Sequence, residues 1–368
     1  MKKINILFTI WATRHGGAEH YVLNIIKNLD KSRYNVIVFS DSPEKGAMHQ
    51  FFKENGAKII YAKVDRFKHP VKHIRHLRDV IVSNKIDIIH GNDDLNIIYS
   101  VVAKTKNVSL IAHSHTTNLK FTSHKVVSAI ARKILPQLIA KKSDARLCCS
   151  NEAGRAMFGR KAFQVVSNGI ELDKFYYKED IRKRYRKEFG FSDNDIVIGH
   201  IGRLVEVKNH IFILQILKEL NDKKYKAVFV GDGDLRESLM EKAKELCIDD
   251  RVFFLGDRDD TYNIYNMFDL FLFPSLYEGL GMVLVEAQAN GLPIIASSAV
   301  PFETKMNENF IFENINEGVE NWKEEICKIN MVRAALPRKI QNYSVEMTVE
   351  KLVDLYEEIY KNSRSKTC

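Results

Sequence analysis

Two glutamates, Glu278 and Glu286, flank a glycine-bearing loop in the stretch DLFLFPSLYEGLGMVLVE, residues 269–286. The apolar run Leu270–Phe273 reads as a buried strand that Pro274 ends. The loop Tyr277–Gly281 then opens an apolar helix containing Glu286. A strand, a small-residue loop and a helix N-terminus make an anion cradle, because backbone N–H groups point outward and the helix dipole favours negative charge. Glu278, in the loop, would reach hydroxyls of a molecule bound beyond the helix end. Glu286 would accept paired hydrogen bonds from a vicinal diol such as ribose. Paired carboxylates also serve glycosidases, but those need no phosphate cradle. The plainer alternative is two surface charges.

Three further groups could join such a site. Gly16-Gly17 lets backbone approach a phosphate closely, or simply makes a tight turn. Arg203 and Lys208 follow a strand and loop as cations on a diphosphate would, a fork and a point charge, although loop cations are commonly solvated. His113-Ser114-His115 stands at a strand end, where an imidazole could hydrogen-bond a reacting sugar, shuttle a proton or serve structure alone. D-x-D occurs at Asp193–Asp195, Asp232–Asp234 and Asp257–Asp259. Such spacing can hold a divalent metal against a diphosphate. Asp favours turns in any case, so these read as turns and no metal site is expected.

The elements that must position these residues alternate. Ile4–Ile10 reads as a first strand, a helix follows to Leu29, and Tyr34–Ser40 is a second strand at βαβ spacing. Further strands are expected at Lys58–Tyr61, Asp87–His90, Ser109–His113, Ala145–Cys149 and Phe163–Ser167. The second half restarts with Asp195–Ile201, then Ala227–Val230, Val252–Leu255, Leu270–Phe273 and Pro293–Ala296. Lys178–Phe189 is a densely charged helix near the junction, and Val345–Tyr360 is helical by its 3.6-residue period. The expected class is α/β, with two successive doubly wound Rossmann-like units. Open α/β sheets bind ligands beyond the carboxyl ends of their strands, and every motif loop sits at such an end. Two facing units would gather the loops into one cleft.

The 368 residues suffice for two full cores, and 45% hydrophobic with 28% charged residues is an ordinary soluble composition. Five cysteines show no metal spacing and fit reduced thiols in a cytosolic protein. Residues 1–165 carry 28 basic and 12 acidic side chains, net +16, while the rest of the chain is net −7, within a total of +9. A basic half implies an anionic partner such as nucleic acid, a membrane surface or a phosphorylated acceptor. MKKINILFTIWA has lysines and an apolar run but no A-x-A-like cleavage site, so it is expected to be a strand rather than a signal peptide. No run reaches the ~18 apolar residues of a membrane span.

The motifs together resemble one family. Gly-Gly-Ala-Glu (16–19), Ser-Asn-Gly-Ile-Glu (167–171), Gly-Arg-x4-Lys-Asn (202–209), Val-Gly-Asp-Gly (230–233) and Pro-Ser-x-x-Glu-Gly-x-Gly-Met-x-Leu-x-Glu-Ala (274–287) are similar to the retaining GT-B glycosyltransferases of family four. Their Glu-x7-Glu signature falls on Glu278 and Glu286. The likeness covers nearly the whole chain, and Gly-His-Ile-Gly-Arg (199–203), His-Ser-His (113–115) and Glu-Ala-Gln-Ala-Asn-Gly-Leu-Pro (286–293) resemble the capsular and exopolysaccharide branch. The resemblance implies a nucleotide-sugar substrate, usually a UDP-sugar, and no cofactor. Arg203 and Lys208 would hold its diphosphate, Glu286 its ribose, and Glu278 with the backbone of Gly279, Leu280, Gly281 and Met282 its sugar. Arg258 would lie near the base and His115 near the anomeric carbon, favoured over His113 by the following Thr116. It also implies retention by front-face attack without a metal. The expected boundaries are an acceptor-binding domain 1–170, a nucleotide-sugar domain 171–343, and a tail 344–368 packing back on the first. Ser297-Ser298-Ala299-Val300 departs from the family's usual Ser-Asp-x-Ile-like segment and bears on donor choice.

Other classes fit less well. A non-catalytic partner subunit would not need Arg203, Lys208, Glu278 and Glu286 intact, and the motifs do not match a sugar-nucleotide epimerase. A dinucleotide oxidoreductase needs G-x-G-x-x-G after strand one. No nucleic-acid-binding module is present. The expected acceptor is a glycan or lipid-diphosphate-linked saccharide. The basic segments Phe67–Lys85 and Lys125–Lys142 are expected to hold the protein on the anionic inner face of the cell membrane, or else to pack their apolar faces on the first sheet.

Overall fold

The computed structural model describes residues 2–14, 16–116, 125–278 and 280–365, with the backbone alone for 125–133. Contacts divide the chain into two units, Met1–Ile170 with Asn342–Cys368, and Glu171–Gln341. Each is a wholly parallel sheet covered by helices on both faces.

The first sheet runs in the order β3-β2-β1-β4-β5-β6-β7. Its strands are β1 (Ile4–Ile10), β2 (Tyr34–Ser40), β3 (Lys58–Tyr61), β4 (Ile88–Gly91), β5 (Ser109–Ser114), β6 (Ala145–Cys148) and β7 (Gln164–Val165). β1 pairs with β2 over seven residues and with β4 on its other side, so Phe8, Val38, Ile88 and Ile111 are fully buried. Apolar residues on both faces are what a strand buried between two helical layers requires. One layer joins the helix Gly17–Asn28 to the carboxy-terminal helix Val345–Ser365, whose Val349, Leu352, Tyr356 and Ile359 face the sheet. The other holds the helices Pro70–Ser83 and Asp94–Ala103.

The second sheet runs β10-β9-β8-β11-β12-β13. Here β8 is Ile196–Ile201, β9 Tyr225–Val230, β10 Val252–Gly256, β11 Leu270–Phe273, β12 Ile294–Ser297 and β13 Phe310–Glu313. The strand β13 and the helices His49–Glu54, Asp94–Ala103, Asn151–Phe158 and Val319–Lys328 were not legible from periodicity, being short or rich in β-branched residues. The charged helix near the junction turns its cations inward. Arg182 and Arg186 donate to Asp269 at 2.5 and 2.9 Å, and Asp269 also accepts the Val197 N–H at 2.8 Å. Its charge thus clamps the start of β8 to the start of β11.

The Ser-Asn-Gly-Ile-Glu motif is where the returning chain crosses the first unit. Ile170 exchanges backbone hydrogen bonds with Tyr343 and Val345, at 2.8 and 2.9 Å. A Cβ at Gly169 would stand 2.6 Å from the Val345 Cα, so glycine is needed for the crossing. Further along, the Tyr356 hydroxyl meets the buried His90 Nδ1 at 2.7 Å, and His90 Nε2 lies 3.1 Å from His113 Nδ1. Tyr356→Phe removes one partner of a fully buried imidazole. It should lower unfolding stability by about 1–3 kcal/mol, read from the midpoint of urea denaturation at an unchanged m-value.

Candidate active site

The order of each sheet reverses once, between β1 and β4 in the first unit and between β8 and β11 in the second. At such a point the adjoining crossovers depart in opposite directions and leave a crevice beyond the strand ends. The loops Gly202–Asn209 and Pro274–Gly281 therefore border the crevice of the second unit.

Local contacts hold the first of these loops from both sides. Gly202 N–H donates to Val230 O at 2.9 Å, Leu204 N–H to Asp232 O at 3.0 Å, and Leu276 N–H to Val207 O at 2.8 Å. The Gly-Asp-Gly turn can come this close because it lacks side chains at its two contact points. A Cβ at Gly231 (φ +121°) would stand 2.3 Å from Gly202 O, and one at Gly233 would stand 2.5 Å from Leu204 O. Gly199 serves β8 in the same way, since a Cβ there would strike the Phe268 ring.

On this frame Lys208 and Glu278 form an ion pair at 2.5 Å, both largely buried, with the ammonium 4.8 Å from the Phe273 ring centre. Arg203 is exposed and makes no ion pair with a described residue, so its fork is open to an anion. Gly281, at φ +73°, caps the helix Met282–Ala289. Leu280 is buried and its carbonyl accepts the Thr304 hydroxyl at 3.1 Å; Met282 is the first helical residue. Gly279 lies outside the described residues. Glu286 is half-buried and accepts the Tyr265 hydroxyl at 2.7 Å. Burial pushes its carboxyl up to about 7, with the Tyr265 hydrogen bond pulling the other way. Tyr265, fully buried, escaped the sequence reading, because nothing local to an aromatic residue 21 positions away marks it as this carboxylate's partner.

Arg258, in the loop expected to lie near the base, already has a partner. It is committed to Asp260 through two hydrogen bonds, at 2.8 and 2.7 Å, and Tyr185 donates to the same carboxylate at 2.5 Å. In the D-x-D turns, Asp232 accepts the Gly233 N–H and Asp195 accepts the Ser192 N–H and hydroxyl. These are turn-forming roles.

In the first unit Gly16 caps the helix Gly17–Asn28 in extended conformation, and a Cβ on it would meet the Glu19 carboxylate at 2.3 Å. Glu19 is pushed up to about 7 by burial, with hydrogen bonds from its own and the Ala12 backbone lowering it and the charge of Asp93 raising it. A Cβ on Gly17 would meet only open space. His113 is fully buried inside β5, stacked on His115 at 4.2 Å between ring centres. His115, just past the strand, is half-buried. Asn92 spends its amide N–H on the His90 carbonyl at 2.9 Å, so its oxygen accepts from His115 Nε2 at 3.1 Å. That leaves Nδ1 facing the Asn168 side chain at 3.1 Å. Burial pulls the ring down to about 4, so it is neutral at pH 7 and suited to hydrogen bonding rather than proton shuttling.

Two parallel α/β units with paired cations and carboxylates beside a strand-order reversal are the GT-B arrangement of glycosyltransferases. A family model described as "Glycosyl transferases group 1" matches residues 181–328, and one described as "Glycosyltransferase Family 4" matches residues 15–174. The chain belongs to the family-four type of GT-B glycosyltransferases, enzymes of glycan and polysaccharide biosynthesis. It is 24% identical to the Staphylococcus aureus "Capsular polysaccharide biosynthesis glycosyltransferase CapH" over 96% of this chain and 98% of that one. It is 26% identical to an Escherichia coli "UDP-Gal:alpha-D-GlcNAc-diphosphoundecaprenol alpha-1,3-galactosyltransferase", covering 79% and 80%. In fold it is similar to Anabaena Alr3699/HepE, solved in complex with UDP-glucose, with a TM-score of 0.79 at 19% identity over 96% of this chain and 100% of that one.

The raised carboxyl of Glu286 has a measurable consequence. Only the ionised form accepts two hydrogen bonds from a diol, so uridine, which lacks the phosphates, should bind better as pH rises. Between pH 6 and pH 8 the ionised fraction of a group titrating near 7 grows about tenfold. Uridine affinity by calorimetry should grow likewise and level off above pH 8. In Glu286→Gln it should be weak and independent of pH.

Proposed function

We propose that the chain transfers a sugar from a UDP-sugar to a lipid-diphosphate-linked saccharide, with retention of anomeric configuration and without a metal, in capsular or exopolysaccharide synthesis. The observation that carries this reading is the Lys208–Glu278 ion pair, which joins the two loops bordering the crevice between β8 and β11, with Arg203 on the first loop and Glu286 on the helix that follows the second. The names of relatives support the donor and acceptor classes: one is a UDP-Gal:alpha-D-GlcNAc-diphosphoundecaprenol galactosyltransferase, and one structure holds UDP-glucose.

In this reading the acceptor hydroxyl oxygen attacks the anomeric carbon on the face the diphosphate leaves. The bond from that carbon to the phosphate oxygen breaks with its electron pair going to the diphosphate, which takes the acceptor's proton. Arg203 and Lys208 stabilise the growing charge on the leaving group, the role a divalent ion fills elsewhere. Glu286 holds the ribose and Glu278 the sugar hydroxyls. His115, neutral, is a hydrogen-bonding group beside the reacting sugar.

Incubation with a panel of nucleotide sugars should release UDP from at least one, in the presence of chelator, and NMR of the product should show the donor's anomeric configuration. UDP binding with no release from any donor and acceptor would instead fit a non-catalytic subunit. Glu278→Gln separates the roles further. It removes the anion that competes with diphosphate for Lys208, so UDP should bind at least as tightly as to the wild type. Turnover should fall about a hundredfold or more, because a charged contact to the sugar is lost.

Membrane attachment is supported by the helix Pro70–Ser83, which exposes Val71 and Val82 beside Lys72 and Arg75, and by exposed Lys141, Lys142 and Ile134. The buried positions His73, Leu77, Val80 and Ile81 of the same helix pack on the first sheet, which leaves the other face for a membrane. No helix among the described residues is long and apolar enough to cross a membrane. The side chains of Arg132 and Lys133 lie outside the described residues. Sedimentation with anionic vesicles should show binding at low salt that is lost at high salt. Charge reversal at Lys72, Arg75, Lys141 and Lys142 should abolish it.

A further inference from the structure

Trp11 is the first residue after β1, and Phe67 lies in the segment after β3. Their side chains are 41% and 51% exposed, whereas Trp322, the chain's other tryptophan, is fully buried. The two rings lie 6.4 Å apart at 59°. Beneath both is the guanidinium of Arg66, 4.1 Å from the Trp11 ring centre and 5.1 Å from that of Phe67. Arg66 is itself buried at 6% exposure and is tied to Asp41 at 2.5 Å, Asp93 at 3.2 Å and Asn96 at 2.9 Å. The Tyr99 hydroxyl donates to its carbonyl at 3.1 Å. A cation anchored by three side chains thus holds two aromatic rings in place at the surface, and a ring face over a cation is attractive.

Carboxylates lie near this platform. Glu19 stands in the first turn of the helix after β1, and Asp93 is paired with Arg66 beneath the rings. Asp93 is about one-third exposed. All these groups follow β1, β2, β3 and β4 at their carboxyl ends, by the strand-order reversal of the first unit. An aromatic surface with carboxylates at its rim matches one chemistry well. A pyranose has an apolar C–H face that covers a ring and equatorial hydroxyls that donate to carboxylates.

We propose that Trp11 and Phe67, held on Arg66, bind the pyranose ring of the acceptor saccharide, with Asp93 and Glu19 accepting its hydroxyls. This rests on the transferase reading above and assigns that reading's acceptor its residues within the first unit. Loss of either ring leaves the hydroxyl contacts, so it weakens the sugar's hold rather than abolishing the fold.

Titration of the full chain with methyl pyranosides (gluco, galacto, manno and 2-acetamido forms) tests this through tryptophan emission, since only Trp11 is accessible. At least one glycoside should change the emission saturably. Trp11→Ala and Phe67→Ala should each weaken its binding about tenfold, as expected for one lost stacking contact. Trp11→Phe should bind it within about threefold of the wild type while losing the optical signal, read by calorimetry. UDP affinity should be the same in all three variants. The proposal is overturned if no glycoside perturbs Trp11, if Trp11→Ala binds the glycoside like the wild type, or if Trp11→Ala loses vesicle binding instead. UDP binding without any glycoside response sinks the platform alone. Glycoside binding without UDP binding keeps the platform and sinks the transferase reading.

Discussion

Where the order of parallel strands reverses, neighbouring crossovers leave in opposite directions and a crevice opens without any side chain having to carve it. Both units obey this constraint, at β1/β4 and at β8/β11. The chemistry-bearing residues occupy loops that border those two positions. In the second unit a strand-to-helix loop also presents the N-terminus of Met282–Ala289, so the crevice has an anion-favouring wall before any charged side chain is counted. The glycines of the Gly-Asp-Gly turn serve the same end, letting it press against the Gly202–Asn209 loop and fix where Arg203 and Lys208 emerge.

Within the second crevice the charges are arranged with unequal freedom. Lys208 and Glu278 neutralise each other while largely buried, which avoids an unpaired charge in a poorly hydrated place. Arg203 remains open to solvent, able to meet an incoming anion first. Among the described residues Glu286 has a tyrosine hydroxyl as its partner, and burial raises its proton affinity. In the first unit burial keeps His90, His113 and His115 neutral and carboxylates hold the buried Arg66, so these groups act through fixed hydrogen bonds.

Much of this was legible in the chain. The strands Ile4–Ile10, Tyr34–Ser40, Lys58–Tyr61 and Leu270–Phe273 have the bounds that their apolar runs suggest, since a doubly covered strand must be apolar throughout. Glycine-bearing loops after those strands located the crevice residues, because turn chemistry is local. The strand Phe310–Glu313 and the helix Val319–Lys328 did not stand out, being too brief for a period to declare itself. Nothing local to Arg182 and Arg186 marks Asp269, more than 80 positions on, as the carboxylate that receives them.

The sequence by itself determined the parallel α/β class, the placing of the motif loops at strand ends and the types of residue at the crevice of the second unit, all carried by patterns within a few residues. Tertiary structure alone decided the partners: Tyr265 on Glu286, Asn92 and Asn168 on His115, Asp260 on Arg258, and Arg66 beneath Trp11 and Phe67. It also decided which sheet face the last helix covers, which its 3.6-residue period leaves open. The physical reason is the range of the forces. Backbone geometry and hydrophobic period act along neighbouring residues, whereas burial, hydrogen-bond partnership and proton affinity depend on groups that only folding brings within a few ångströms.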